Sequence, residues 1–242
     1  MPPEAVQAWR GPEAKETDPR RRALAYAILA PNPHNMQPWL VDLRVPDVIT
    51  LYVDRTRLLP HTDPFSRQIM IGHGTFLELL HMAAAADGYR ADIRYFPEGG
   101  FPDEKVSDKP VARITFTRDS ARAADPLFKQ VLLRRSNKEP YDKDRRLRPD
   151  HAKALRTAYD GAPIPMRLAT GATLVDALRK TADRAMTIEM ATPRTHMESI
   201  ERTRIGAAEI AKHRDGIDLH GPMFWWLKQL GLLTRQKAAE PG

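Results

Sequence analysis

The chain of 242 residues contains no cysteine. Disulfides, thiolate metal sites, iron–sulfur clusters and a cysteine nucleophile are therefore excluded. No uninterrupted apolar run approaches the ~20 residues that a membrane span needs, so no membrane partner is expected. Met1-Pro2-Pro3-Glu4 lacks a basic stretch followed by an apolar one. As written, the chain reads as cytoplasmic, or as periplasmic if a leader lies upstream of Met1. Also missing are a Gly-x-Gly-x-x-Gly turn, a Walker loop and a supported Ser/His/Asp arrangement. Most rival enzyme classes fall with them.

What is present is an ordinary globular composition, 42% hydrophobic and 29% charged. It suffices for one large domain or two small ones. The net charge is +7 and the pI near 9.7. Such a balance suits nucleic acid, an anionic membrane or an anionic cofactor. Here the basic residues form short clusters interleaved with acidic ones, without a recognised nucleic-acid motif. A small anionic ligand is favoured, and no nucleic-acid partner is expected.

Residues 1–17 are polar and read as an N-terminal arm or loop. Asp18-Pro19 opens the first helix, with aspartate as cap and proline in the first turn. It must end by Ala30, because Pro31 and Pro33 disfavour helix before them. Residues 39–43 and 48–53 alternate apolar positions and read as strands. Asp63-Pro64 leads into a long helix over 65–86, stopped by Asp87-Gly88. That helix is apolar nearly all round, so it should be central and buried. Gly72 and Gly74 inside it cost ~1 kcal/mol each; close approach of a helix or ligand, or fraying, would explain them. Strands follow at 91–96 and 111–117, and a helix from Asp125-Pro126 to Leu133.

The order of elements then partly recurs: helix 149–159, strand 166–170, helix 173–190. The chain therefore reads as two related units, 18–122 and 123–242, the second incomplete because it never finishes a sheet. Residues 194–233 read as further helices, and the apolar 223–233 segment must pack on something. The expected fold class is α+β, a short antiparallel sheet with helices around a buried central helix.

Two stretches carry chemistry. The first is Pro31-Asn32-Pro33-His34-Asn35-Met36-Gln37-Pro38-Trp39, which leaves a helix and enters a strand. The second is Arg134-Arg135-Ser136-Asn137-Lys138-Glu139-Pro140-Tyr141-Asp142. Arginine gives paired hydrogen bonds to a dianion, lysine a point charge and serine a hydroxyl donor. The bland alternatives are a solvated basic turn and a proline-rich loop bracing itself. His73 and His81 lie eight residues apart, not at the i, i+4 spacing of a metal pair, so no metal is expected. His213 and His220 read as surface histidines, and Glu198, Glu201 and Arg202 as helix-face salt bridges.

Both stretches resemble the FMN-dependent nitroreductase family. The first is similar to its Pro-Ser-x-x-Asn-x-Gln-Pro-Trp segment. The second is similar to its Arg-x-Ser-x-Arg/Lys segment, whose side chains hold the FMN phosphate. The resemblance covers 18–142 well and 143–242 loosely. It implies FMN bound by Arg134, Arg135, Ser136, Lys138, Pro31, Asn32, Pro33, His34, Asn35 and Gln37. In the second unit Ala162-Pro163-Ile164-Pro165-Met166 takes the place of the amide loop, and Arg20-Arg21-Arg22 is a remnant of the basic segment. Each unit keeps half a site, as in the fused two-unit Acg-like subfamily. The resemblance thus implies a pseudo-dimer, or a homo-oligomer that completes the site. The implied activity is hydride passage from NAD(P)H through flavin to a small nitro- or quinone-like acceptor. The alternative is a flavin-sequestering protein without turnover, with helices of 194–233 as a lid. The flavin would supply the chemistry, so no catalytic side chain is assigned.

Overall fold

Asp18 caps the first helix as its sequence demands, accepting a hydrogen bond from the Arg20 N–H at 2.9 Å. This helix, α1 (Pro19–Ala27), buries Ala23 and Ala27. The structure, a computed structural model, describes residues 1–101, 105–159 and 166–239. The N-terminal residues expected as an arm form a 3-10 segment over Pro3–Arg10, closed by Gly11 at φ 77°.

Four strands make one antiparallel sheet: β1 (Trp39–Asp42), β2 (Val48–Val53), β3 (Tyr89–Tyr95) and β4 (Ala112–Arg118), in the order β1-β2-β4-β3. Alternation puts Ile49, Leu51, Val53, Ala112, Ile114 and Phe116 on the buried face. Ile49, Ile114 and Ile93 lie side by side in one row across three strands. The opposite face is polar. Its row Asp42, Thr50, Arg113, Arg94 helps line a shallow depression of about 430 Å³. That depression contains none of the expected site residues.

Helix α2 (Arg67–Ala86) covers the apolar face, burying Ile69, Phe76, Leu77, Leu80, Ala83 and Ala84. Its apolarity would suit a membrane span by length and composition, but 56% of its most apolar window is buried in the core. It starts at Arg67 rather than 65 because Ser66 is left-handed at φ 52°. The Asp63 carboxylate accepts the Ile69 N–H at 2.9 Å, satisfying one first-turn donor. Asp125 caps in the same way, accepting the Leu127 N–H, but only a 3-10 segment (Pro126–Gln130) follows instead of a helix to Leu133.

By contacts, Met1–Arg135 with Pro193–Gly242 form one compact unit and Ser136–Thr192 another. This division by compactness is distinct from a division by recurring element order. The smaller unit holds α3 (Pro149–Ala158) and α4 (Ala172–Ala191). Residues 166–170, read above as a strand, form none, because no segment among the described residues pairs with them. The expected Ala162-Pro163-Ile164-Pro165 loop lies outside the described residues.

The C-terminal part of the larger unit comprises α5 (Pro193–Glu201), β5 (Thr203–Ile205), α6 (Ala207–His213), β6 (Ile217–Leu219), α7 (Pro222–Gln229) and α8 (Arg235–Ala238). β5 and β6 pair in parallel, where only helices were expected. In the apolar α7, Phe224 and Leu227 are half-buried, while Trp225 and Trp226 remain exposed with their rings edge-to-face at 4.7 Å.

Candidate anion-binding site

The 30–39 loop is organised around Asn32. Its Nδ2 donates to the Ala30 carbonyl at 3.0 Å and its Oδ1 accepts the Gln37 N–H at 2.8 Å. One side chain thus ties both ends of a turn that prolines keep from becoming a helix. Gly72 of α2 lies directly beneath: a Cβ there would come within 3.1 Å of the Asn32 Cβ. Thr75, one turn on, donates to the Pro31 carbonyl at 3.0 Å. The close neighbour that Gly72 demands is therefore the loop itself. Gly74 meets nothing within 4 Å.

Three non-glycine residues of this loop are left-handed: His34 at φ 49°, Asn35 at φ 50° and Gln37 at φ 51°. Each such residue costs roughly 1–3 kcal/mol and persists only where its surroundings over-determine it. The surroundings here are the C-terminal segment. His34 Nε2 is 3.1 Å from the Ser199 hydroxyl. Gln37 Nε2 donates to the Arg214 carbonyl at 2.7 Å, and the Gly216 N–H donates to the Asn35 carbonyl at 3.2 Å. Arg57 bridges the two regions, donating to the Met36 carbonyl and to Asp215, which also pairs with Arg204. Glu198, read above as a helix-face ion pair, is instead buried and accepts the N–H groups of His61 and Thr62 and the Thr62 hydroxyl. Among the described residues the carboxylate is compensated by these donors rather than by a cation.

Arg134 docks at the foot of the same loop. Its Nη2 donates to the Leu29 carbonyl at 2.7 Å, two residues before Pro31. Two expected stretches, about a hundred residues apart in sequence, therefore meet at this point. The Arg134 guanidinium is half-buried, and its Nε–H is shut off from water with no acceptor among the described residues. Arg135 is exposed and donates to the Leu132 and Arg134 carbonyls. Among the described residues neither arginine has a carboxylate partner; their bonds are to carbonyls and to the face of Trp9. Burial, reinforced by repulsion from Arg135, pushes the Arg134 pKa below its ordinary value. A half-buried cation with a spare donor, next to an exposed second one, is electrostatically suited to an anion.

The other expected site residues divide. Pro31, Asn32, Pro33, His34, Asn35 and Gln37 share the loop with Arg134 at its foot. Ser136 and Lys138 are exposed and belong to the smaller compact unit. Arg20 and Arg22, read as a remnant basic segment, brace the fold. Arg20 donates to the Leu43, Val45 and Val48 carbonyls, and Arg22 pairs with Asp87. His73 is fully buried on α2, its Nδ1–H donating to the Ile69 carbonyl, and burial lowers its pKa. His81 Nε2 accepts from Arg122 instead. Trp9 was not anticipated at the site: Ala5, Ala8 and Trp9 recur at helical spacing, but that spacing does not say what the segment packs against.

No family model matches the chain. Over 128 residues, 50% of the chain, it is 32% identical to an uncharacterized protein of Mycobacterium tuberculosis strain H37Rv, of which the match covers 35%. It is 30% identical over 125 residues to a protein of that strain named "Putative NAD(P)H nitroreductase acg", covering 52% of this chain and 36% of the relative. A further protein with the nitroreductase name is 31% identical over 137 residues, covering 54% of this chain and 38% of the relative. The chain spans little more than a third of the length of the curated relatives it matches. These similarities support a relationship to nitroreductases, with which the mixed helical and antiparallel-sheet fold is compatible.

Proposed function

We propose that this chain binds FMN as a nitroreductase-type NAD(P)H-dependent oxidoreductase. The observation that carries the reading is Arg134: a half-buried cation with no carboxylate partner and an unmet N–H among the described residues, docked at the foot of the amide loop. The residues fit the cofactor's phosphate. Arg134 and Arg135 would hold it. Pro31, Asn32, Pro33, His34, Asn35 and Gln37 would hold the rest of the flavin through their backbone and amide groups. FMN, when bound, supplies two-electron chemistry in which NAD(P)H is oxidised and a nitro- or quinone-type acceptor is reduced.

This chain's own contribution is binding and orientation. Asn32 holds the loop ends together, and Gly72 lets the loop lie against α2. Arg134 and Arg135 supply charge for the phosphate at an address set by carbonyl contacts. The proposal extends to a composite site, either between two related units of one chain or completed by a second copy. The purified protein should be yellow and should bleach with NADPH in the absence of oxygen. A colourless protein that takes up no FMN overturns the reading.

A second reading, flavin sequestration without turnover, has its own support. The C-terminal segment engages His34, Asn35 and Gln37 through Ser199, Gly216 and Arg214, where a nicotinamide or an acceptor would need access. Bound FMN with no NADPH oxidation would select this reading over turnover.

A further inference from the structure

The N-terminal 3-10 segment brings Trp9 to the arginine pair. The Arg135 Cζ sits 3.9 Å from the centroid of the indole ring and the Arg134 Cζ 5.4 Å from it. Trp9 is itself fixed from behind. With Ala8 it packs on a small satellite core of Leu29, Met82 and Val131, joined by Tyr26, Phe128 and Leu132. Gly11, left-handed at φ 77°, turns the chain back against Leu132 and the Tyr26 hydroxyl. The Tyr26 and Phe128 rings meet edge-to-face at 4.9 Å in the same cluster.

Two guanidinium groups on consecutive residues repel each other and have many rotamers. Something must hold them in one place. A carboxylate would do so but would cancel the charge needed for an anion. An aromatic face and carbonyl oxygens orient the cations while leaving their net charge intact. Among the described residues every partner of this pair is of that neutral kind.

We propose that Trp9 is a positioning residue for the phosphate end of the flavin site, holding Arg134 and Arg135 in register through its indole face. The proposal rests on the FMN reading given above and adds a residue from the N-terminal segment to it. Trp9 acts on the cofactor through the arginines alone. Its loss should weaken a ligand that carries the phosphate and spare one that lacks it.

The test is a fluorescence-quenching titration of FMN and of riboflavin with the wild-type protein, Trp9→Leu and Trp9→Phe, each checked by circular dichroism. Wild type should bind FMN more tightly than riboflavin. W9L should weaken FMN about five- to tenfold, as loss of a partly desolvated cation–π contact implies, and leave riboflavin unchanged. W9F, with a weaker ring quadrupole, should recover most of the affinity. If W9L fails to fold, W9F carries the test, with about a twofold FMN-selective loss expected on the same grounds. Equal loss of FMN and riboflavin, or no loss of FMN, overturns the Trp9 role alone. A wild-type protein that binds no FMN, or binds it no better than riboflavin, overturns the phosphate reading and the Trp9 role with it.

Discussion

The chain contains two twenty-residue helices, α2 and α4, with opposite fates. In α2, ten residues are buried, and the helix forms the roof of the sheet. In α4 none is buried; Leu174, Leu178, Met186 and Ile188 are all more than half exposed. Both have the length and composition of stable helices. What separates them is context: α2 has a four-stranded apolar face to cover, whereas Ala152 is the sole buried hydrophobic among the described residues of the Ser136–Thr192 unit. Helical stability in water comes mostly from tertiary burial rather than propensity. The two compact units should therefore respond very differently to the same kind of change.

The largest contrast is expected from truncation of apolar side chains. Phe76→Ala, at a fully buried position packed on Trp39, should cost about 3–5 kcal/mol in denaturant unfolding. Leu178→Ala, at a position 54% exposed, should cost about 0.5 kcal/mol or less. Comparable losses at the two sites would mean that α4 is covered in solution, and the contrast between the units would fail.

A finer contrast lies within α2. Gly72→Ala would press on Asn32 and should destabilise by about 1–3 kcal/mol, with loss of any flavin affinity that depends on the loop. Gly74→Ala faces open space and should stabilise by about 0.5–1 kcal/mol, since alanine is the better helix former. Thermal melts of the two variants should move in opposite directions.

The smallest effect concerns acid. Burial would raise the Glu209 carboxyl, but hydrogen bonds from Arg235, the Ile205 N–H and Lys228 together outweigh it and hold the pKa at about 2. A carboxyl held below its ordinary value of 4.5 contributes stability above that pH, and the contribution disappears as pH falls towards about 2. Glu209→Gln should flatten the stability–pH curve in that window. Asp150→Asn in the smaller unit should change it less: the Arg148 hydrogen bond also lowers the Asp150 carboxyl, but that pair is exposed and screened by solvent.

The same contrast governs how much of the molecule could be read from its residues. The Asp-Pro starts at 18 and 125, the alternation of β2 and β4 and the apolar α2 follow from local rules, and all appear. Asp125 nonetheless opened only a 3-10 turn, because a cap marks where a helix can begin and not how far it runs. The three-residue strands β5 and β6 are too short to show alternation, and 166–170 has the composition of a strand but no pairing partner among the described residues. At the candidate site, the proline-bracketed loop and the basic run stand out in the sequence. The left-handed backbones of His34, Asn35 and Gln37 were not, since contacts with Ser199, Arg214 and Gly216 impose them from afar. Nor was Trp9, whose position depends on a satellite core assembled from four separate stretches of the chain.

The most direct measurement is a crystal structure of the protein grown with FMN. The account predicts the phosphate within hydrogen-bonding distance, about 2.7–3.2 Å, of the Arg134 or Arg135 guanidinium, with the flavin continuing along the 31–37 loop. A flavin phosphate seated elsewhere, with both guanidinium groups still facing Trp9 and carbonyl oxygens only, would contradict it.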